Sequence, residues 1–165
     1  MLNEKLTAEW VVAGAATVAA YDDLLKERSN AQEAAKALNG SIFALDYPAH
    51  ISGWLESEEL DGLVTDLMNG DQPTGLALAL KARSKGIPCV IVTTGNLEGG
   101  ARGHLPSFVV SCINSLPQIG VPVLIGEKDG GKRWTEAFST LYEMIAQKWA
   151  QESSDRGNAV RCAMR

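Results

Sequence analysis

The run Pro88-Cys-Val-Ile-Val-Thr93 follows Gly86 and is apolar at successive positions rather than at alternate ones. Alternation marks a strand with one wet face. An unbroken β-branched run marks a strand covered on both faces, as in parallel sheets sandwiched between helices. Four more short apolar runs share its character: Ala16 to Tyr21, Ser41 to Leu45, Leu60 to Thr65 and Val121 to Ile125. Between them lie stretches with helical spacing or composition. Leu24 to Leu38 is rich in Ala, Glu, Lys and Leu and stops at Asn39-Gly40. Ala49 to Glu59 and Thr74 to Ser84 place apolar residues at helical intervals. Pro106 to Leu116 opens on a proline, which suits a first helical turn. Thr135 to Trp149 sets Phe138, Leu141, Tyr142, Ile145 and Trp149 on one face. Strand and helix thus alternate five times. That order predicts an α/β fold with a doubly wound, five-stranded parallel sheet and helices on both faces.

One segment reads two ways. Residues 7–38 hold Trp10, Gly14, Thr17, Tyr21 and Leu24 at helical spacing, so an alanine-rich single helix competes with a strand followed by a helix. With the strand, residues 1–15 become an N-terminal extension carrying an extra helix, residues 16–150 the α/β domain, and residues 151–165 a polar, unpatterned tail expected to be disordered. The apolar stretch from Ala8 to Ala20 is too short to span a bilayer, and Glu4, Lys5 and Glu9 deny it the positive flank of a signal peptide.

Composition narrows the function classes. With 15 basic and 20 acidic residues the net charge is −5, which lacks the basic excess of a nucleic-acid binder or a polybasic membrane anchor. The expected partners therefore include no nucleic acid and no membrane. Cys89, Cys112 and Cys162 are widely spaced and odd in number, without CxxC or Cys/His ligand spacing. Unpaired thiols and the lack of a convincing signal favour the cytoplasm.

In a doubly wound sheet, ligands collect at the carboxyl ends of the strands, near the switch in strand order. Asp22-Asp23 follow the first strand, Asp66 the third, Thr93-Thr94 end the fourth, and Glu127-Lys128 follow the fifth. Clustered carboxylates repel one another, and a hard cation such as Mg2+ relieves that repulsion. A carboxylate beside such a cation can attack phosphorus to give an aspartyl phosphate. A lysine neutralises phosphoryl oxygens, and a threonine hydroxyl can donate to one. Each residue also has an ordinary role: Asp22-Asp23 suit a helix N-terminus, Asp66 a strand-end turn, the threonines strand-end packing and Lys128 a solvated surface.

The set resembles the response-regulator receiver domain of two-component signalling. The resemblance rests on Asp22-Asp23, on LDGLVTDLMNG around Asp66, on GIPCVIVTT with Thr93 near its end, and on the intervals between them; it covers residues 16–149. It implies a flavodoxin-like receiver fold. It further implies Asp66 as phosphoacceptor, Asp22, Asp23 and Asp66 as Mg2+ ligands, Thr93 as the switch hydroxyl and Lys128 as the lysine after the fifth strand, with Lys132 as a rival. A histidine kinase or another signalling protein would be the partner, and the face of the last helix a surface for a homodimer. The chain departs from the family at Leu67-Met68-Asn69-Gly70, where a Met-Pro pair is usual, and at Lys128-Asp129, where the lysine is usually followed by proline.

Two alternatives stay open. One is a degenerate receiver that binds proteins without phosphorylation. The other is a small α/β enzyme or ligand-binding protein. There, glycines 95, 99, 100 and 103 would form a backbone nest for an anionic ligand, with Gly99, Gly100, Arg102 and His104 as its contacts. Whether the chain is an enzyme follows from neither.

Overall fold

The computed structural model describes residues 11–57, 59–70, 72–94, 107–126 and 131–163, with the side chains of 107, 108 and 157–163 apart. Helix α1 is described over residues 11–15. The order then runs β1 (Val18–Tyr21), α2 (Leu25–Ala37), β2 (Ile42–Leu45), α3 (Pro48–Glu56), β3 (Gly62–Asp66), α4 (Thr74–Ser84), β4 (Cys89–Thr93), α5 (Ser107–Ser115), a 3-10 turn (Leu116–Ile119), β5 (Val123–Ile125) and α6 (Trp134–Ala163). The five strands form one sheet in the order β2-β1-β3-β4-β5. Every pairing is parallel. This is the doubly wound, flavodoxin-like arrangement expected from the sequence, with the extra N-terminal helix in place.

The ambiguous segment resolves as helix, strand, helix. Alanine favours a helix, but Val18, Ala19, Ala20 and Tyr21 are all buried between β2 and β3, so two strand pairings and two covered faces override local propensity. Alternation divides the core. Ala19, Tyr21, Leu63 and Ile91 pack with Ile51, Leu55, Ala79 and Val109 from α3, α4 and α5. Val18, Ala20, Val64, Val90 and Val92 pack on the other face with Ala31 and Ala35 of α2 and with Phe138, Leu141, Tyr142 and Ile145 of α6. Val12, Ala13 and Ala16 join this second cluster, so residues 12–16 are fastened to the core.

The C-terminal segment departs from expectation. The tail expected to be disordered from residue 151 continues α6 as helix to Ala163. The packed face anchored by Leu141 and Ile145 nucleates the helix, and propagation adds a hydrogen bond per residue at little cost. Lys148–Glu152 and Gln151–Asp155 pairs one turn apart support it. Residues 151–156 are nevertheless exposed, which is why no apolar pattern announced them.

Candidate functional site at the carboxyl edge of the sheet

Strand order reverses between β1 and β3; Asp22 follows β1 and Asp66 ends β3 at that point. In-register pairing of Tyr21 with Thr65 sets Asp22 beside Asp66. Carboxylate oxygens of Asp22, Asp23 and Asp66 all lie within 4.8 Å of one another. Asp22 and Asp66 are buried, at 0% and 7% exposure, whereas Asp23 faces solvent. The three carboxylates grouped in the sequence reading thus lie together.

Lys132 completes the cluster. Its side chain is 4% exposed, and its Nζ pairs with Asp22 Oδ2 and, at 2.9 Å, with Asp66 Oδ2. The lysine at the site is therefore the rival named from the sequence, two residues before α6. Lys128 lies outside the described residues, as do Gly99, Gly100, Arg102 and His104.

Local backbone fixes each carboxylate. Asp22 Oδ1 accepts the N–H of Leu24 at 2.9 Å, closing a tight turn just before α2. Asp66 Oδ1 accepts the N–H of Leu67 at 2.9 Å. Arg28 donates to the backbone carbonyls of Asp22 and Asp23 at 2.9 and 3.0 Å and pairs with Asp46 at 3.4 Å. Sequence reading missed Arg28; the available signal was a cation in a first helical turn, where the dipole disfavours it. Gly75 lets α4 start against β3, since a Cβ there would stand 1.4 Å from the Asp66 carbonyl oxygen. Thr93 ends β4 one residue beyond the Val92 that pairs with Asp66, and it is 6% exposed.

Burial sets the electrostatics. It raises Asp66 to about 6, with the Lys132 charge opposing and the Asp22 charge adding. Burial also raises Asp22, against the hydrogen bond and charge of Lys132. Burial alone would lower Lys132, but Asp66 and Asp22 outweigh it and hold the ammonium charged. Tyr21, just before Asp22, is pushed up to about 12 by burial and then by the charges of Asp23 and Asp66. Among the described residues, three carboxylates thus surround one buried ammonium.

No family model matches the chain, and no curated protein matches it. Solved structures do. The signal receiver domain of a putative Luxo repressor protein from Vibrio parahaemolyticus superposes with a TM-score of 0.56 at 16% identity, over 84% of this chain and 95% of that one. A response regulator receiver protein from Sinorhizobium medicae gives 0.55 at 20% identity, over 79% and 94%. A structure described as a transiently phosphorylated "switch" in bacterial signal transduction gives 0.52 at 16% identity, over 80% and 95%. The fold of this chain is that of response-regulator receiver domains. Among the described residues, no helix is long and apolar enough to cross a membrane.

Proposed function

We propose that the chain is a receiver-like signalling domain that accepts a phosphoryl group on Asp66 and passes the change on through protein contacts. The observation that carries this reading is the ion-paired Lys132 between Asp22 and Asp66, with Asp23 alongside, at the switch point of the sheet. The donor set suits a divalent cation: three carboxylates supply hard oxygen ligands, and exposed Asp23 leaves room for retained waters. Bound there by Asp22, Asp23 and Asp66, Mg2+ would screen the approach of a phosphoryl group to a carboxylate.

The chain's own residues supply the remainder. A carboxylate oxygen of Asp66 attacks phosphorus, an O–P bond forms, and the bond to the donor breaks with its electron pair leaving on the donor. Phosphohistidine of a kinase, or acetyl phosphate, fits as donor. Lys132 is placed to shift its contact from Asp66 to a phosphoryl oxygen, keeping its hold on Asp22. Thr93 stands one residue along β4 from the partner of Asp66, and its hydroxyl would donate to another phosphoryl oxygen, linking the acceptor to the segment after β4. The test is intact mass after incubation with Mg2+ and acetyl phosphate. One phosphoryl adduct on the native chain and none on Asp66→Asn is expected; an equal adduct on both would overturn the assignment.

A second reading draws on Leu67-Met68-Asn69-Gly70 after Asp66 and on Arg133 after Lys132, in place of the family's prolines. Here Lys132 stays locked to its two carboxylates and the domain serves as a binding module. It is favoured if no adduct forms on a chain that retains native circular dichroism.

A further inference from the structure

The reading above leaves Arg28 unused. Arg28 stands in the first turn of α2, where the helix dipole disfavours a cation, and its side chain is only 15% exposed. Neither fits an arginine that merely coats a helix surface. Its Nη1 donates to two successive carbonyls, of Asp22 at 2.9 Å and of Asp23 at 3.0 Å. Its Nη2 pairs at 3.4 Å with Asp46, the residue after β2. One flat guanidinium thus ties the residues that follow β1 to the residue that follows β2.

The three carboxylates of the site are held in different ways. Asp22 is fixed at its side chain by the Leu24 N–H and Lys132, and Asp66 by the Leu67 N–H and Lys132. Asp23 faces solvent, and Arg28 holds it at its backbone. The two carbonyls that Arg28 engages belong to the peptide planes on either side of the Asp23 Cα. Holding both planes fixes φ and ψ at Asp23, and with them the direction in which its side chain leaves the chain.

We infer that Arg28 is a positioning residue of the acidic site: by clamping the peptide planes that flank Asp23, it aims that carboxylate at a divalent cation shared with Asp22 and Asp66. The inference rests on the proposed receiver reading, which supplies the cation. The charge of Arg28 works the other way, because a guanidinium near the site repels a cation. Positioning and charge therefore predict opposite signs when Arg28 is removed.

The experiment titrates Mg2+ alone into the full chain, Arg28→Gln and Arg28→Lys by calorimetry, with melting temperatures in chelator to establish that each is folded during the titration. Arg28→Gln is expected to bind Mg2+ about tenfold more weakly, although it has lost a repelling charge. Arg28→Lys keeps the charge but not the flat fork. It is also expected to bind more weakly, and it carries the test if Arg28→Gln does not fold. Equal or tighter binding by either folded variant would overturn the inference, assign Arg28 to the fold alone and leave the receiver reading standing. A native chain that takes up no Mg2+ would overturn the cation part of the reading and the inference together.

Discussion

Lys132 is the residue on which the site turns. Removing it leaves Asp22 and Asp66 buried beside each other without the ammonium that pairs with both. Lys132→Met is therefore expected to lower stability by about 3 kcal/mol in metal-free buffer. Adding Asp22→Asn should restore much of that loss, because one buried charge then disappears. Urea denaturation of the native chain and the two variants checks this, and an unchanged midpoint in Lys132→Met would show that the ion pairs are not formed. Asp22, Asp23, Asp66 and Thr93 were legible in the sequence because each follows an apolar run at a strand end. Lys132 was legible only as one of two candidates. Nothing in the glycine-rich stretch from Gly126 fixes how many residues cross from β5 to the site, and Lys128 and Lys132 differ by four residues.

At the scale of elements, two contacts decide how the helices meet the sheet. Gly75 allows the start of α4 to touch the Asp66 carbonyl, and Gly75→Ala places a methyl group where that oxygen stands. The expected result is a loss of about 2 kcal/mol or more, with slower phosphoryl acceptance because the end of β3 must shift. On the surface, Glu56 of α3 pairs with Lys81 at 2.7 Å and with Lys85 at 2.9 Å across the α3–α4 boundary. The Lys81 and Lys85 ammonium groups hold its carboxyl down at about 2, from its ordinary 4.5. The folded value lies below the unfolded one, so the pairing stabilises above pH 4.5 and its contribution is lost as pH falls toward 2. Glu56→Gln should melt slightly lower than the native chain at pH 7 in low salt, with the gap closing in high salt and on acidification. A gap that ignores salt would point to packing instead. These partners were not legible in the sequence, because they sit 25 and 29 residues from Glu56 and meet only when α3 and α4 lie side by side.

At the scale of the molecule, a parallel sheet is covered on both faces and the candidate site lies at its carboxyl edge; the unbroken β-branched run of β4 already announced the covered sheet. The alternation of runs and helices carried the topology, since five parallel strands joined by helices allow few orders. What stayed hidden was the length of α6. Leu141, Tyr142 and Ile145 are buried, whereas residues 151–156 are exposed, so only the first half of the helix left an apolar signature. It follows that ending the chain after Gln151 should leave the melting temperature nearly unchanged, whereas Leu141→Ala should cost about 3 kcal/mol through a core cavity. Thermal melts of the two variants distinguish a helix held by its packed half from one that needs its full length.

The proposed role of the carboxyl edge is phosphoryl acceptance on Asp66. The most direct measurement treats the native chain with Mg2+ and acetyl phosphate, reduces it with borohydride and maps the product by peptide mass spectrometry. An acyl phosphate is reduced to the alcohol, so homoserine at position 66 is the predicted result. Homoserine at another carboxylate, or none in a chain that remains folded, would contradict the account.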